Sequence, residues 1–360
     1  MSLEQVILLT GSSGLIGRRL GERLSRMSKV IGFDRPGGPQ PPSGLEQISV
    51  DLTSASSVAK GLRTVQALYG ASLISVIHLA AYVDYSGDPN PLYQQVTIDG
   101  TRRLLRGLHA LHFHVQQFIF SSTMLVHAPC EPGQTINEDW PLDPRWPYPQ
   151  SKIDTERVIQ EDRGTIPSIA LRIAGVYDDM CHSLPLAQQI HRLHQRHLTS
   201  KVFPGHTSHG QSFVHVDDVI DAFVRVVDRR HRLPDWSTLL IGEPEVVSYD
   251  ELQHQFGGLI HDEPDWQTTQ IPKAVAKAGA WVQESVPIAD DPFIKPWMID
   301  FADDHYALDI SLAKMQLGWA PKRSLRSTLP IMIAALKNDP QAWYREHKLS
   351  TSVEMSHKTP

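Results

Sequence analysis

The sequence predicts an α/β protein built on a doubly wound parallel sheet, with a smaller α/β lobe beside it. The first observation is that short apolar runs alternate with helical patterns through the first half of the 360-residue chain. The second is the apolar run Val6–Leu9, which leads into three glycines, Gly11, Gly14 and Gly17, before a helical pattern begins. The third is an acid, Asp34, at the end of the next apolar run. Together these features are typical of a dinucleotide-binding Rossmann unit.

The glycine turn needs residues without side chains for two reasons. It demands backbone angles that a side chain would resist, and a dinucleotide pyrophosphate must approach bare backbone at the N-terminus of the helix. We therefore expect the cofactor to contact the turn and the first helical residues. These residues are Gly11, Ser13, Gly14, Leu15, Ile16 and Gly17.

Asp34 and its neighbour decide which dinucleotide is favoured. The Asp34 carboxylate can accept hydrogen bonds from both hydroxyls of the adenosine ribose, and its charge would repel a 2′-phosphate, which favours NAD over NADP. Arg35 could instead pair with that phosphate, so NADP stays the alternative.

Strands and helices follow one another in order up to about residue 174. The further predicted strands are Lys29–Phe33, Gln47–Val50, Ile74–Leu79, Gln117–Phe120 and Ser168–Arg172. The further predicted helices are about Ser54–Tyr69, about Pro91–Leu111 and one that Tyr148 opens. Parallel strands need crossover helices, so this alternation predicts a parallel sheet. Leu79, Ala80 and Ala81 lie at the carboxyl end of a strand and leave room for a flat group, so we assign them to the cofactor.

Beyond about Gly175 the alternation weakens into shorter elements, which predicts a substrate-binding lobe. We place the NAD-binding Rossmann domain at 1–174, with part of the later chain returning to it. The substrate-binding lobe is mainly 175–346, and 347–360 is expected to be a flexible tail. A strand at Ser237–Ile241 is expected in the smaller lobe.

Charge and composition exclude several classes of protein. The formal net charge is −6 and no long basic run is visible, so nucleic acid is not an expected partner. Only two cysteines, Cys130 and Cys181, occur, which argues against a disulfide framework and favours a reducing compartment. No apolar run approaches about 18 residues and no leader pattern opens the sequence. We therefore expect no membrane partner and a cytoplasmic location.

Eight motifs, taken in order, resemble those of one family. They are Thr10–Gly17, Asp51-Leu52, His78–Ala81, Asp99–Thr101, Ser121–Thr123, Tyr148 with Lys152, Phe213–Val219 and Leu317–Trp319. Over nearly the whole chain they are similar to the extended short-chain dehydrogenase/reductases, the NAD-dependent epimerase/dehydratase family. The resemblance implies an NAD-dependent enzyme in which Thr123 hydrogen-bonds the reacting oxygen and Lys152 also holds the nicotinamide ribose. It further implies that Asp51 and Leu52 flank the adenine.

Tyr148 and Lys152 are the candidate catalytic pair. They are four residues apart in a predicted helix and therefore share one helical face. Hydride transfer from a secondary alcohol needs a base for the hydroxyl proton, and a free phenol titrates near pH 10, which is too high to serve at neutral pH. We expect the ammonium of Lys152 to favour the phenolate of Tyr148.

Eighteen histidines raise the question of a metal site. The densest group is His182, His191, His194 and His197. No neighbouring Cys or carboxylate completes a ligand set there, so we expect no metal.

Three positions depart from the family members that act on nucleotide sugars. Where those members hold the diphosphate with an Asn and two Arg, this chain has Gly175, Gln211 and the apolar stretch Ile299–Phe301. A diphosphate is bound mainly by charge-assisted donors, so these changes weaken the nucleotide-sugar interpretation. The region Trp266–Trp297, which includes Trp281 and Pro292-Phe293, is apolar and aromatic. His305–Asp309 also resembles the 3β-hydroxysteroid dehydrogenase branch.

We therefore expect hydride transfer between NAD(H) and a secondary alcohol or ketone of a non-nucleotide, partly apolar substrate. The residues assigned to the substrate are Thr123, Met124, Tyr148 and Gly175. Two alternatives stay open, a nucleotide-sugar epimerase or dehydratase and an inactive dinucleotide-binding regulatory protein.

The expected assembly is a homodimer. In this family two long helices, here near residues 91–111 and 148–163, pack against their symmetry mates as a four-helix bundle. An apolar stripe on the first of them supports this expectation. Its members are Leu104, Leu105, Leu108 and Leu111.

Overall fold

A computed structural model describes residues 5–41, 44–285 and 294–349, with the backbone alone for 281–285. Its centre is a seven-stranded parallel sheet, which confirms the predicted fold class. In chain order the strands are β1 (Val6–Thr10), β2 (Lys29–Asp34), β3 (Glu46–Ser49), β4 (Ser75–His78), β5 (Phe118–Thr123), β6 (Ser168–Ile173) and β7 (Trp236–Ile241). Across the sheet the order is β7-β6-β5-β4-β1-β2-β3. The order reverses beside β1, where a ligand crevice is expected in such a sheet.

The helices that the described residues form lie on both faces of this sheet and in a smaller lobe. They are α1 (Leu15–Leu24), α2 (Ala55–Tyr69), α3 (Asp99–Ala110), α4 (Pro147–Asp162), α5 (Leu184–His194), α6 (Val216–Asp228), α7 (Tyr249–His261), α8 (Lys273–Ser285), α9 (Pro296–Asp300), α10 (Ser311–Leu317), α11 (Leu325–Asn338) and α12 (Pro340–Glu346). Short paired strands supplement them in the lobe.

Both faces of the sheet are covered, and its central strands β1, β4, β5 and β6 are buried at every position. Side chains alternate along a strand, so Ile7 and Leu9 of β1 belong to the core that holds α1 and α6. Leu8 belongs to the core that holds α2, α3 and α4 on the opposite face. This two-sided burial explains why the predicted strands read as continuous apolar runs rather than alternating ones.

Two predicted elements need correction. The strand expected at Ser237–Ile241 in the smaller lobe spans Trp236–Ile241, pairs with β6 and is the edge strand of the central sheet. Its parallel pairing was not visible in the sequence because register depends on the partner strand. The predicted long helix before β5 is also divided, since residues Tyr93–Ile98 form a π-helical turn that leads into α3.

Asp218 of α6 connects that helix to the residues that follow α10. The indole of Trp319 donates to the backbone oxygen of Asp218 at 2.9 Å, and the Asp218 carboxylate accepts from the backbone nitrogens of Lys322 and Arg323. Gly318 has φ +58°, which allows the turn after α10. These contacts give the motifs Phe213–Val219 and Leu317–Trp319 a structural role, since they hold α6 against the chain after α10.

The leucines of α3 do not form an intermolecular surface. Leu104, Leu105 and Leu108 are fully buried within the protomer, in the core that contains α2 and α4. The apolar stripe therefore serves the core of a single chain and does not support the expected dimer.

Residues beyond 346 were expected to form a flexible tail. Of these, 347–349 are described, and the ring of His347 hydrogen-bonds the backbone oxygen of Cys181 at 3.1 Å. Residues 350–360 lie outside the described part of the chain.

Candidate active site

The turn between β1 and α1 has the geometry that the glycine spacing indicates. Gly11 has φ +70°, and a Cβ there would lie 2.9 Å from the backbone nitrogen of Ala80. Gly17 is buried, and a Cβ there would overlap the backbone oxygen of Gly11. Gly14 is exposed, and a Cβ there would make only an ordinary contact of 3.5 Å with that oxygen. The turn therefore offers open backbone at the N-terminus of α1, which fits a pyrophosphate.

Asp34 lies beside this turn at the end of β2. Its Oδ2 accepts hydrogen bonds from the backbone nitrogen and the hydroxyl of Ser13, at 2.8 and 2.7 Å. Its Oδ1 accepts from the backbone nitrogen of Arg35, whose side chain is exposed. The pairing with Ser13 was not foreseen from the sequence, and it fixes the carboxylate next to the glycine turn.

The second predicted adenine-side acid, Asp51, follows β3. Its Oδ1 accepts from the backbone nitrogen and the hydroxyl of Thr53, at 2.8 and 2.7 Å. Leu52 is buried, and its backbone oxygen accepts from Arg103. The loop thus presents Asp51 in a defined orientation at the same edge of the sheet as Asp34.

His78, which the sequence singled out only as part of a motif, connects the cofactor edge to α3. Burial lowers the pKa of His78 to about 3, so its ring is neutral. The Thr101 hydroxyl donates to the backbone oxygen of Thr97 at 2.6 Å, so it accepts from Nε2 of His78 at 2.8 Å. Nδ1 then accepts from the hydroxyl of Thr10, and that hydroxyl accepts from the backbone nitrogen of Ala80. This chain of hydrogen bonds sets the backbone path from β4 into residues 79–81.

Thr123, Tyr148 and Lys152 come together at the carboxyl ends of β5 and β6. Thr123 is the last residue of β5 and Tyr148 lies in the first turn of α4. The Thr123 hydroxyl accepts from the backbone nitrogen of Leu125 at 3.3 Å. Nζ of Lys152 donates to the backbone oxygen of Ser121 at 2.8 Å and lies 5.7 Å from the centroid of the Tyr148 ring. The four-residue spacing thus places Tyr148 and Lys152 next to each other on one face of α4, as expected.

Burial dominates the protonation of this group. It lowers the pKa of Lys152 to about 7, and the neighbouring charge of Glu156 opposes that shift. It also raises the pKa of Tyr148 above its usual value, with a further contribution from Tyr85, while the Thr123 hydroxyl acts in the opposite direction. The expected lowering of the Tyr148 pKa by Lys152 is therefore not seen in this arrangement.

A cavity of about 420 Å³, here called the catalytic cavity, opens in front of these three residues. Of the residues assigned to cofactor or substrate, it is lined by Ile16, Leu79, Ala81, Thr123, Met124, Tyr148, Lys152 and Gly175. The assigned residues around Asp34 and Asp51 lie outside its lining. One cavity therefore joins the end of the glycine turn, the strand ends and the entrance of the smaller lobe.

Residues 7–242 match the model of the NAD-dependent epimerase/dehydratase family. The chain belongs to this family. It is accordingly an NAD-dependent enzyme, and the open backbone of the glycine turn agrees with that cofactor. The family is the one that the eight sequence motifs indicated.

Several individual proteins are distantly similar to this chain. The chain is 22% identical to sterol-4-alpha-carboxylate 3-dehydrogenase, decarboxylating, of Candida albicans, over 93% of this chain and 98% of the relative. Its fold is similar to dTDP-glucose 4,6-dehydratase of Bacillus anthracis in complex with NAD, with a TM-score of 0.69, 18% identity, and 95% and 99% of the two chains covered. It is also similar to UDP-glucose 4-epimerase of Thermotoga maritima with UDP-glucose, with a TM-score of 0.67, 20% identity, and 94% and 100% covered.

A buried ionic network behind the family's catalytic residues was not foreseen. The carboxylate of Glu156, one turn after Lys152 on α4, pairs with the guanidinium of Arg172 on β6 at 2.8 Å. Ser122 donates to Glu156 at 2.5 Å, and Nη1 of Arg172 lies 3.0 Å from Nε2 of His127. Glu156 and Arg172 are both buried, so the network fastens α4 to the sheet. Each of its members follows an unremarkable local pattern, and only the fold brings them together.

The structure shows what surrounds the positions at which the sequence departs from nucleotide-sugar members. A Cβ at Gly175 would lie 2.8 Å from the ring of Phe213, so this ring occupies the space beside position 175. Gln211 lies on the rim of the catalytic cavity. The sequence missed an arginine nearby, Arg145, whose Nη1 donates to both carboxylate oxygens of Asp304 at 2.8 and 2.7 Å.

The aromatic region predicted to favour an apolar ligand is only partly described. Trp146 lies 5.3 Å from Tyr148 and 5.2 Å from Trp297, measured between ring centroids. Tyr85 lies 6.0 Å from Trp146. These rings form an aromatic wall, defined as Tyr85, Trp146 and Trp297, beside Tyr148. The Trp281 side chain and Pro292-Phe293 lie outside the described part, and Trp266 is a core residue of the lobe.

The histidine cluster has structural partners. His194 hydrogen-bonds the hydroxyl of Tyr344 at 2.7 Å, and His182 pairs with Asp178 at 2.7 Å and with Glu346 at 2.9 Å. Within residues 5–41, 44–285 and 294–349, no group of three or more His, Cys, Asp or Glu side chains could hold a metal ion. Within the same ranges, no helix is long and apolar enough to cross a membrane.

Proposed function

We propose that this enzyme transfers hydride between NAD(H) and a secondary alcohol or ketone of a non-nucleotide, partly apolar substrate. The observation on which this depends is the composition of the catalytic cavity. Thr123, Tyr148 and Lys152 face it, and the ring of Phe213 fills the space beside Gly175 where nucleotide-sugar members have an Asn. The aromatic wall beside Tyr148 adds apolar surface for a substrate.

Each catalytic residue has one role in this proposal. Tyr148 takes the hydroxyl proton of the alcohol, or returns it to the ketone, through its phenolic oxygen. Thr123 hydrogen-bonds the reacting oxygen. Lys152 supplies positive charge and would hold the nicotinamide ribose. Bound NAD would supply the hydride acceptor and a positive charge. Burial raises the pKa of Tyr148, and this positive charge would lower it by favouring the phenolate.

The remaining cofactor residues are assigned by position. Gly11, Ser13, Gly14, Leu15, Ile16 and Gly17 would hold the pyrophosphate at the N-terminus of α1. Asp34 would accept from the adenosine ribose and select NAD over NADP, and Asp51 with Leu52 would flank the adenine. Leu79, Ala80 and Ala81 would lie against the cofactor, while Met124 and Gly175 would contact the substrate beside Thr123. The domain division at 174 and 175, a cytoplasmic location and a homodimer also stay proposals.

A nucleotide-sugar epimerase or dehydratase is the second candidate. It is favoured by the similar folds of dTDP-glucose 4,6-dehydratase and UDP-glucose 4-epimerase. It is disfavoured because Arg145, which lies over the ring of Phe301, is already paired with Asp304, and releasing it would leave a half-buried carboxylate unpaired. An inactive dinucleotide-binding protein is the third candidate. It is disfavoured because a protein without catalysis has no need for Thr123, Tyr148 and Lys152 together.

Absorbance of NADH during incubation with apolar alcohols and with UDP-glucose tests the proposal. We expect NADH to form with apolar secondary alcohols, and Tyr148→Phe to lose this activity with little change in NAD affinity because only the proton acceptor is removed. Tyr69→Phe, at the end of α2, is the matched control. Product analysis accompanies the assay, since an epimerase regenerates its cofactor. Micromolar binding of UDP-glucose to the NAD-loaded protein, with altered sugar as product, would establish the epimerase instead.

A further inference from the structure

The loop that precedes α5, here called the cavity loop and defined as residues 178–183, contributes to the wall of the catalytic cavity. The lining includes the last two residues of this loop and the first two of α5, which are His182, Ser183, Leu184 and Pro185. The roles proposed above for cofactor and substrate use none of these four residues. The shape of the catalytic cavity therefore depends on how the cavity loop is held.

The backbone of the cavity loop depends on side chains for its support. Cys181 is buried and has a φ of +65°, in the left-handed region that a residue with a side chain rarely adopts. Oδ1 of the buried Asp178 accepts from the backbone nitrogens of Met180 and His182, at 3.1 and 2.9 Å. Nε2 of His347, which follows α12, lies 3.1 Å from the backbone oxygen of Cys181. Contacts from α12 and its end thus bear directly on this loop.

The side chain of His182 joins the cavity loop to α12. Its Nδ1 lies 2.7 Å from Oδ2 of Asp178, and its Nε2 lies 2.9 Å from Oε1 of Glu346, the last residue of α12. This pair of contacts is here called the His182 bridge. An ionised carboxylate only accepts hydrogen bonds and a neutral imidazole has one N–H, so only the imidazolium donates to both carboxylates at once. In agreement, the hydrogen bond to Asp178 raises the pKa of His182 above its ordinary value, while partial burial opposes that shift.

The two ends of the His182 bridge differ in their surroundings. The Asp178 side chain is 1% exposed and also accepts from Nη2 of Arg19 on α1, at 2.6 Å, whereas the Glu346 side chain is 43% exposed. The ring of His347 stacks on that of His182, with centroids 5.6 Å apart. A neutral His182 would keep its one N–H on the buried Asp178, because water can solvate Glu346. Loss of the proton therefore releases the cavity loop from α12.

We propose that His182 is a positioning residue of the catalytic cavity, whose imidazolium fastens the cavity loop to α12 through Asp178 and Glu346. Because the folded protein raises the pKa of His182, the His182 bridge is complete near about pH 6 and is lost as the pH rises through that raised value. The consequence for substrate affinity rests on the proposed function, whereas the attachment of the loop to α12 does not.

Hydrogen exchange of the backbone amides in the cavity loop tests the attachment. It is followed by mass spectrometry on the NAD-loaded protein from about pH 6 to about pH 9 and corrected for the intrinsic effect of pH on exchange. We expect exchange in the wild type to become about tenfold faster across this range, the effect of one charge-assisted hydrogen bond. His182→Gln, which is neutral, should exchange at the faster rate throughout. His182→Arg, which keeps a charge and several donors, should exchange at the slower rate throughout.

His254→Gln is the matched control. His254 also faces an aspartate one helical turn earlier, with its Nδ1 3.5 Å from Oδ2 of Asp250, but it does not line the catalytic cavity. This variant should keep the wild-type exchange of the cavity loop at every pH. Thermal unfolding of each variant confirms that it is folded.

Steady-state kinetics of the same variants measure the consequence for the substrate. At about pH 6 we expect His182→Gln to raise KM for an apolar secondary alcohol by about tenfold, with little change in kcat or in the dissociation constant of NAD, because the loop shapes the cavity and takes no part in proton transfer. His182→Arg should restore the wild-type KM.

Three results would overturn the inference and leave the proposed dehydrogenase intact. They are wild-type exchange of the cavity loop that does not change with pH, wild-type exchange in folded His182→Gln, and an unchanged KM in that variant. Conversion of UDP-glucose but of no alcohol would instead overturn the proposed function, and the exchange measurement would still decide whether His182 fastens the loop.

Discussion

At the scale of single residues, Lys152 has the most unusual setting in the site. Its ammonium is buried, donates to the backbone oxygen of Ser121, and lies 4.9 Å from the centroid of the Phe120 ring. Tyr148 faces it from the same helix, and Glu156, one turn further on, is the carboxylate that raises its pKa. Because burial outweighs Glu156, the Lys152 pKa of about 7 lies below the ordinary value of 10.5.

This lowered pKa predicts a pH dependence of stability for the protein without NAD. Between pH 7 and about pH 10 the unfolded chain holds a proton on Lys152 that the folded chain has lost, so the contribution of Lys152 to the free energy of unfolding rises with pH. Below pH 7 its full cost is present. We expect the stability of Lys152→Met relative to wild type to be greatest near pH 6 to 7 and to decline towards pH 10. Urea unfolding across this range measures it, with the exposed Lys60→Met as control. A difference that is constant with pH would contradict it.

Asp34 carries the second residue-scale prediction. NAD should bind more tightly than NADP to the wild type, because a 2′-phosphate would approach a carboxylate already fixed by Ser13. Asp34→Asn keeps an acceptor oxygen for Ser13 but removes the charge, so we expect the preference to shrink by about tenfold. Asp34→Ala should also reduce the difference between the affinities for NAD and NADP. Calorimetric titration with both cofactors measures this, and tighter NADPH binding by the unaltered protein would refute the assignment.

At the scale of elements, the glycines of the turn between β1 and α1 are needed for different reasons, Gly17 for packing and Gly14 for cofactor binding. Gly17→Ala should destabilise the protein by about 1–3 kcal/mol, because the new Cβ would overlap the backbone oxygen of Gly11 and neither backbone can yield freely. Gly14→Ala meets no such overlap, so stability should be kept. Its methyl group would instead project where the pyrophosphate approaches, and we expect about tenfold weaker NAD binding. Thermal unfolding and NAD titration of both variants separate the two effects.

The attachment of α4 to the sheet depends on the ion pair between Glu156 and Arg172. Arg172→Met leaves a buried carboxylate without its partner and should cost about 3–5 kcal/mol of stability. The double variant Glu156→Leu with Arg172→Met should be less destabilised than the sum of the single variants, because no uncompensated charge remains. Arg157→Met, which breaks an exposed pair with Asp154 on the same helix, is the control and should cost under about 1 kcal/mol. Additive effects in the double variant would contradict this account.

At the scale of the whole molecule, the aromatic wall connects α9 to segments that precede α3 and α4. The indole nitrogen of Trp297, from α9, donates to the backbone oxygen of Ser86 at 2.7 Å, and the same ring leaves no space for a Cβ at Gly87. Trp146, just before α4, packs between Trp297 and Tyr148. The aromatic wall is therefore built from three separate parts of the chain.

Removing this connection should affect the substrate more than the cofactor. We expect Trp297→Ala to raise KM for apolar alcohols by about tenfold, because Trp146, which lines the catalytic cavity beside Tyr148, loses the ring that packs against it. The dissociation constant of NAD should change little, since Trp297 lies away from the glycine turn and Asp34. Steady-state kinetics and NAD titration on the same preparation compare the two. An equal loss of NAD affinity would indicate that the wall holds the two lobes together generally.

The sequence by itself determined the Rossmann fold, the family and the residues that meet at the strand ends. These follow from local rules: glycines where a turn allows little else, apolar runs for strands covered on both faces, and Tyr148 with Lys152 one helical turn apart. Ser54 and His215 also cap α2 and α6 through side-chain acceptors, as helix starts require.

Only the tertiary structure decided which distant residues share a partner. The placement of β7 in the central sheet, the burial of Leu104 and Leu108 within one protomer, and the pairing of Arg145 with Asp304 each depend on what lies opposite in space. The same holds for the contact of His182 with Glu346. A residue's type limits which interactions it can make, but its partner and its burial depend on chain segments more than a hundred residues away, as the separation of Arg145 from Asp304 illustrates.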